Sequence, residues 1–372
     1  MPYVCMRFIF TYPNYDLKAS MKSLLPVLSV TAICLFFSCK EKKVAATQHG
    51  TIAYGTMPAI TVDANNQPDI VYGNGDSLMM VTSVDGGISF GKPVLVDTLP
   101  GLVDFATRGP QIAATKQGLA IIGVNKQGNI YAYQKAYNGD WSKAQKVNDS
   151  DEVAKEGFLA LASNEKDLYA VWLDLRGNKR NKIAGAKSTD NGASWSANKI
   201  IYQSPDSSVC ECCKVSVAMN SDKVYVMFRN WLKGNRDLHI IASTDGGQTF
   251  GAAQKLGNGN WKLDGCPMDG GSLAVNDDTI ETTWRRRDSI FADKPGQQEN
   301  FIAIGKTPSV AANTIHQLYA WVKDGTVFYK LNNNKEQVIG KGNLPSVKIL
   351  NEKEAICIFT NNNEINYQRI NL

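Results

Sequence analysis

Cys210, Cys212 and Cys213 crowd into Val209-Cys210-Glu211-Cys212-Cys213-Lys214, and a fourth cysteine stands in Gly265-Cys266-Pro267-Met268-Asp269-Gly270. Thiols at this density support two kinds of chemistry. Reduced, with Met268 as a thioether, they suit copper or zinc, which accept soft sulfur ligands. Oxidised, as in most exported proteins, they form one or two disulfides worth roughly 2–4 kcal/mol each. Adjacent Cys212 and Cys213 cannot easily both satisfy ordinary disulfide geometry, which favours metal. No histidine accompanies the four, which favours staples. His239, between Leu238 and Ile240, reads as structural, and Cys357, in Ala355-Ile356-Cys357-Ile358-Phe359, reads as a buried core thiol.

Arginines form the second reactive set. Arg108 lies in Thr107-Arg108-Gly109-Pro110, Arg176 in Asp174-Leu175-Arg176-Gly177, Arg229 and Arg236 bracket Asn230-Trp231-Leu232-Lys233-Gly234-Asn235, and Arg286 sits in Trp284-Arg285-Arg286-Arg287-Asp288. Forked guanidinium donors suit a carboxylate or sulfate, each paired contact adding about 1.5–3 kcal/mol when shielded from water. The plainer expectation is pairing with nearby Asp174, Asp237, Asp269 and Asp288.

The elements that position these residues are set by a repeated turn. Ser83-Val84-Asp85-Gly86-Gly87-Ile88-Ser89-Phe90 returns as Ser188-Thr189-Asp190-Asn191-Gly192-Ala193-Ser194-Trp195 and as Ser243-Thr244-Asp245-Gly246-Gly247-Gln248-Thr249-Phe250. Asp and Ser/Thr cap free amides, Gly takes positive φ, and the aromatic packs beneath. This phrase resembles the Asp box, or BNR repeat, of the sialidase superfamily. The resemblance implies an all-β propeller, without by itself implying sialidase chemistry. Trp141, after Asn138-Gly139-Asp140, is the equivalent of Phe90, Trp195 and Phe250, and the four lie about 50–55 residues apart, which suits a four-stranded blade.

Strand openings that mix small and apolar residues recur from Pro58, Pro110, Phe158, Val215, Gly271, Pro308 and Pro345. Seven openings predict seven blades; six, as in sialidases, is the alternative. The last unit shows three strands before Leu372, so Thr51-Ile52-Ala53-Tyr54 is expected to supply its fourth. Residues 51–372 then form one domain.

In such propellers the links into the inner strands open on one face, which would collect Cys210, Cys212, Cys213, Cys266 and the arginines Arg108, Arg176, Arg229, Arg236 and Arg286. Sialidases hold a carboxylate with three arginines, and Arg108-Gly109-Pro110 is a loose relative of their Arg-Ile-Pro motif. Glu156 and Asp269, at inner-strand entrances, are the carboxylate candidates for catalysis; no tyrosine takes a matching nucleophile position. Three readings follow: a sialidase-like protein that binds or hydrolyses acidic glycans, a copper, zinc or redox protein centred on the cysteines, and a scaffold that docks another protein. Trp231, Trp261 and Trp284 near the mouth favour a sugar or protein surface over a bare ion. The first reading is the one taken forward.

Met21-Lys22 and the apolar Leu24–Phe37 run, ending at Ser38-Cys39, resemble a bacterial lipoprotein signal in which Cys39 is lipidated. The start at Met21 makes residues 1–20 an over-extended beginning, residues 1–38 a leader and residues 39–50 a tether. An ordinary cleaved secretion signal is the alternative. A cell-envelope, lipid-anchored monomer is the expectation. The net charge of +5 includes three basic and one acidic residue of the leader, so bulk charge does not point to nucleic acid.

Overall fold

A computed structural model describes residues 49–206, 208–276 and 279–372. The leader, Met21 and Cys39 lie outside the described residues. The described chain is all β, with 28 strands in seven four-stranded antiparallel sheets. The first strands of blades I to VII are Thr56–Val62, Gln111–Ala114, Leu159–Ser163, Ser216–Asn220, Gly271–Asn276, Lys306–Ala312 and Asn343–Ile349. Each touches the first strands of both neighbours, including blade I with blade VII, so the ring closes at seven rather than six.

Closure uses the expected strand. His49–Tyr54 pairs antiparallel with Glu364–Asn371, from His49 opposite Gln368 to Tyr54 opposite Glu364, and supplies the outer strand of blade VII. Mixing the two ends of the domain in one sheet makes closure part of the hydrogen-bonded fold.

Second strands such as Gly118–Val124 and Leu168–Asp174 are buried along their whole length, since another blade covers each face. The core is correspondingly divided by boundary. Val171, Leu173 and Phe158 of blade III pack on Val224, Val226 and Phe228 of blade IV, and Ile70 and Tyr72 of blade I pack on Ile356 and Ile358 of blade VII. Such nearest-neighbour burial lets a ring grow by units without one large centre.

Two polar devices reinforce it. On the axis, Ser216 Oγ donates to the Gly271 carbonyl at 2.7 Å, Ser272 Oγ accepts from Val310 N and Ser309 Oγ from Val347 N, both at 3.2 Å. Serine side chains thereby bridge inner strands that the sheets leave unpaired. On the rim, Asp190 Oδ1 accepts from Ser194 N at 2.9 Å while Ser188 Oγ accepts from Gly192 N at 2.8 Å, and the same bonds recur around Asp85 and Asp245.

Gly247 needs its φ of +84°, and a Cβ there would stand 2.1 Å from the Tyr169 ring. Each turn fastens to the preceding blade: Tyr169 of blade III donates to the Gly247 carbonyl, Tyr367 of blade VII to the Ile88 carbonyl, and Thr115 of blade II to Asn191 Oδ1. Trp141 packs with the core between blades I and II, in the place expected of the degenerate copy.

Candidate functional site

An axial cavity of about 210 Å³ opens where the links enter the inner strands. It lies below the ~300–1,000 Å³ typical of pockets that bury a drug-sized ligand, so it has room for one group of a larger molecule. Its wall includes Thr107, Gln111, Ser272, Ser309 and Ser346, with Lys214 from the entrance to blade IV and Lys348 from the inner strand of blade VII. Neither lysine has a hydrogen bond or ion pair among the described residues. Lys348 is exposed on the cavity wall, and Lys214 is half-buried. Loss of bulk solvation lowers the pKa of both, and repulsion from Lys348 lowers Lys214 further.

The expected arginine cluster is resolved into separate structural pairings. Arg229, 2% exposed, donates through Nε to the Asp269 carbonyl at 3.1 Å, through Nη1 to the Arg236 carbonyl at 2.7 Å and through Nη2 to the Arg285 carbonyl at 3.0 Å. Arg108 Nε donates to the Glu156 carbonyl at 2.6 Å with its guanidinium 4.1 Å over Phe158. Arg176 pairs with Asp174 and Asp149 at 2.9 and 3.1 Å. Arg286 grips Glu299 with two bonds of 2.7 and 2.6 Å, a partner not foreseen, since Asp288 had been the nearby acid. Arg236 lies over Trp231 and donates to Cys210 Sγ. These guanidiniums are already occupied, and none of the five lines the axial cavity.

The carboxylate candidates separate likewise. Asp269 reaches the cavity wall, but its Oδ2 is paired with Arg285 at 2.9 Å and accepts from Thr307 N at 3.0 Å. Burial raises its pKa against the opposing pull of Arg285. Glu156 accepts from Asn181 Nδ2 at 3.5 Å and is raised by burial, which Asn181 and Arg108 oppose. It does not line the cavity, and no tyrosine does. Trp261 lies under Arg229 and Arg285, and Trp284 is buried.

All four cysteines meet beside the mouth, as expected. Cys212 is bonded to Cys266, which staples the entrances of blades IV and V across 54 residues. Cys210 and Cys213 are buried free thiols, and their sulfurs lie 3.4 Å apart, with Cys210 Sγ 3.6 Å from Cys212 Sγ. A four-thiolate metal set is therefore not available in this state, because Cys212 and Cys266 are spent on each other. The Cys213 thiol, the Cys212 backbone N–H and Arg236 lower the pKa of Cys210 against burial, whereas burial raises Cys213. Cys357 and His239 are buried in the core, as read.

Sequence reasoning passed over Lys214 and Lys348. A signal existed: Lys348 stands in Pro345-Ser346-Val347-Lys348 where neighbouring inner strands carry Ala218, Ala274 and Ala311. It also passed over the Cys-x-x-Cys pair, Cys210 and Cys213, within the longer cluster.

No family model matches this chain, and no curated protein matches it. Among solved structures, the BP39L lectin from Burkholderia pseudomallei is similar over 86% of this chain and 97% of its own, at 10% identity and TM-score 0.59. Polysaccharide lyase Uly1 is similar over 87% and 91%, at 10% identity and TM-score 0.54. The intramolecular trans-sialidase from Ruminococcus gnavus aligns over 87% and 95% at 11% identity, with TM-score 0.47. At such identities the likeness establishes one thing, that this chain shares the β-propeller fold.

Proposed function

We propose that this protein is a carbohydrate-binding propeller that takes an anionic group of its ligand, a carboxylate or sulfate, into the axial cavity. The observation that carries the reading is the pair Lys214 and Lys348, two lysines on one cavity wall with no ion-pair partner among the described residues. An acidic sugar group there would relieve their repulsion and supply the missing counter-charge. Arg229 and Arg285 hold Asp269, a residue of the cavity wall, in place. Propellers named as a lectin and a polysaccharide lyase share the fold, and the turns around Asp85, Asp190 and Asp245 have the residues of the Asp box, both compatible with a glycan ligand.

Binding is the activity proposed, since Asp269 is already paired with Arg285 and Glu156 does not line the cavity. Titration calorimetry against matched acidic and neutral saccharides tests it. Acidic members should bind more tightly, with affinity falling as salt rises, and Lys214→Gln or Lys348→Gln should each weaken binding roughly tenfold. Equal affinity for both classes, or indifference to both substitutions, removes the reading. Anchoring through a lipidated Cys39 remains part of the proposal. Mass spectrometry of the mature N-terminus should find Cys39 acylated, and an N-terminus elsewhere would rule that out.

A further inference from the structure

We propose that Cys210, Cys213, Cys212 and Cys266 form a thiol–disulfide exchange centre, which passes oxidation between an external low-molecular-weight disulfide and the buried Cys210/Cys213 pair. This stands apart from the anion site and needs no ligand there.

The argument rests on placement. Cys210 Sγ lies 3.6 Å from Cys212 Sγ, one half of the existing bond, and 3.4 Å from Cys213 Sγ, so nucleophile, target and resolving thiol already touch. Arg236 Nη1, 3.1 Å from Cys210 Sγ, stabilises a thiolate there. The other half of the bond, Cys266, is exposed, whereas Cys210, Cys212 and Cys213 are all buried. One sulfur thus faces the solvent and three are sheltered behind it. A staple needs only two cysteines; the buried pair beside it is otherwise unused.

The steps balance within the chain. The Cys210 thiolate attacks Cys212 Sγ, the Cys210–Cys212 bond forms, the Cys212–Cys266 bond breaks, and Cys266 leaves as a thiolate that equilibrates with solvent protons. Cys213 then attacks Cys210 Sγ, forming Cys210–Cys213 and releasing Cys212, which takes up the proton lost by Cys213. Cys210 and Cys213 are oxidised and Cys212 and Cys266 reduced. An external disulfide completes the transfer: Cys266 displaces one thiolate from it, Cys212 displaces the second, and the Cys212–Cys266 bond is restored while Cys210 and Cys213 remain oxidised. Overall, two protein thiols become one disulfide and one external disulfide becomes two thiols.

The full chain is reduced with a dithiol, reoxidised with one equivalent of oxidised glutathione, treated briefly with iodoacetamide under native conditions, then acid-quenched and mapped by peptide mass. In the wild type, part of the population should carry a Cys210–Cys213 bond with Cys266 alkylated. Cys210→Ala should hold the bond at Cys212–Cys266 and slow Cys266 labelling at least about tenfold. Cys213→Ala should still release Cys266 but trap the Cys210–Cys212 bond. Circular dichroism confirms that each variant retains its β structure. Equal Cys266 labelling in wild type and Cys210→Ala overturns the proposal. So does stoichiometric copper or zinc held by four reduced cysteines.

Discussion

Arg229 donates through Nη2 to the carbonyl oxygen of Arg285 at 3.0 Å, so an arginine expected to face a ligand instead joins blades IV and V. A guanidinium is suited to this because its rigid fork satisfies several acceptors at once. Arg229 reaches three buried carbonyls from three different positions in the chain.

Arg229→Met should therefore act on stability. Leaving three buried acceptors unpaired costs about 3 kcal/mol or more, and Arg229→Lys should recover little, because one ammonium cannot span the same three sites. Urea unfolding measures this. A midpoint matching the wild type would show the contacts to be dispensable.

Asp69 predicts an unusual pH response. It is 2% exposed, accepts from Thr82 Oγ1 at 2.7 Å, and burial pushes its pKa from 3.8 up to about 7. Its protonated form is the one the folded state favours. The folded protein thus loses stability as pH rises from about 4 to 7, and none further above that. Asp69→Asn, which keeps an acceptor for Thr82, should be near neutral at pH 4 and stabilise by about 2–4 kcal/mol at pH 8. A pH-independent difference in unfolding free energy would count against this assignment.

The rim turns respond in the opposite sense. Burial alone would raise Asp190, but hydrogen bonds from Ser194 and Ser188 outweigh it and hold the carboxyl below its usual range. Its contribution is present above the unfolded value near 4 and is lost as pH falls through the lower folded one. Asp190→Ala should cost about 1 kcal/mol at pH 7, discounted for exposure, and the gap to wild type should narrow on acidification below pH 4. Paired thermal melts at pH 7 and pH 3 compare the two.

Deleting residues up to Tyr54 should open the ring. The third strand of blade VII, Glu364–Asn371, would lose its outer partner, leaving a bare edge beside the junction with blade I. The expected result is a lower melting temperature together with concentration-dependent association in analytical ultracentrifugation. An unchanged monomer with an unchanged melt would mean the closing strand is ornamental.

Much of this architecture was legible in the chain. The Asp turns are built from bonds between residues two to four apart, so Ser188, Asp190 and Ser194 declare their structure wherever they occur. The inner-strand openings recur because every blade places the same kind of surface toward the axis, and the period gives the blade count. Even the meeting of Cys212 and Cys266 follows from equivalent places in adjacent blades.

The fate of the reactive side chains was decided by the tertiary structure alone. Arg229 finds the Asp269 and Arg285 carbonyls 40 and 56 residues away, and Arg286 takes Glu299 in preference to the adjacent Asp288. Lys214 and Lys348 share one cavity only because blades IV and VII both deliver residues to its wall. Local sequence specifies which donors and acceptors a segment carries and how its own turn closes. Whether a guanidinium, an ammonium or a thiol is satisfied or left free depends on atoms delivered by other blades, and that is settled only when the ring closes.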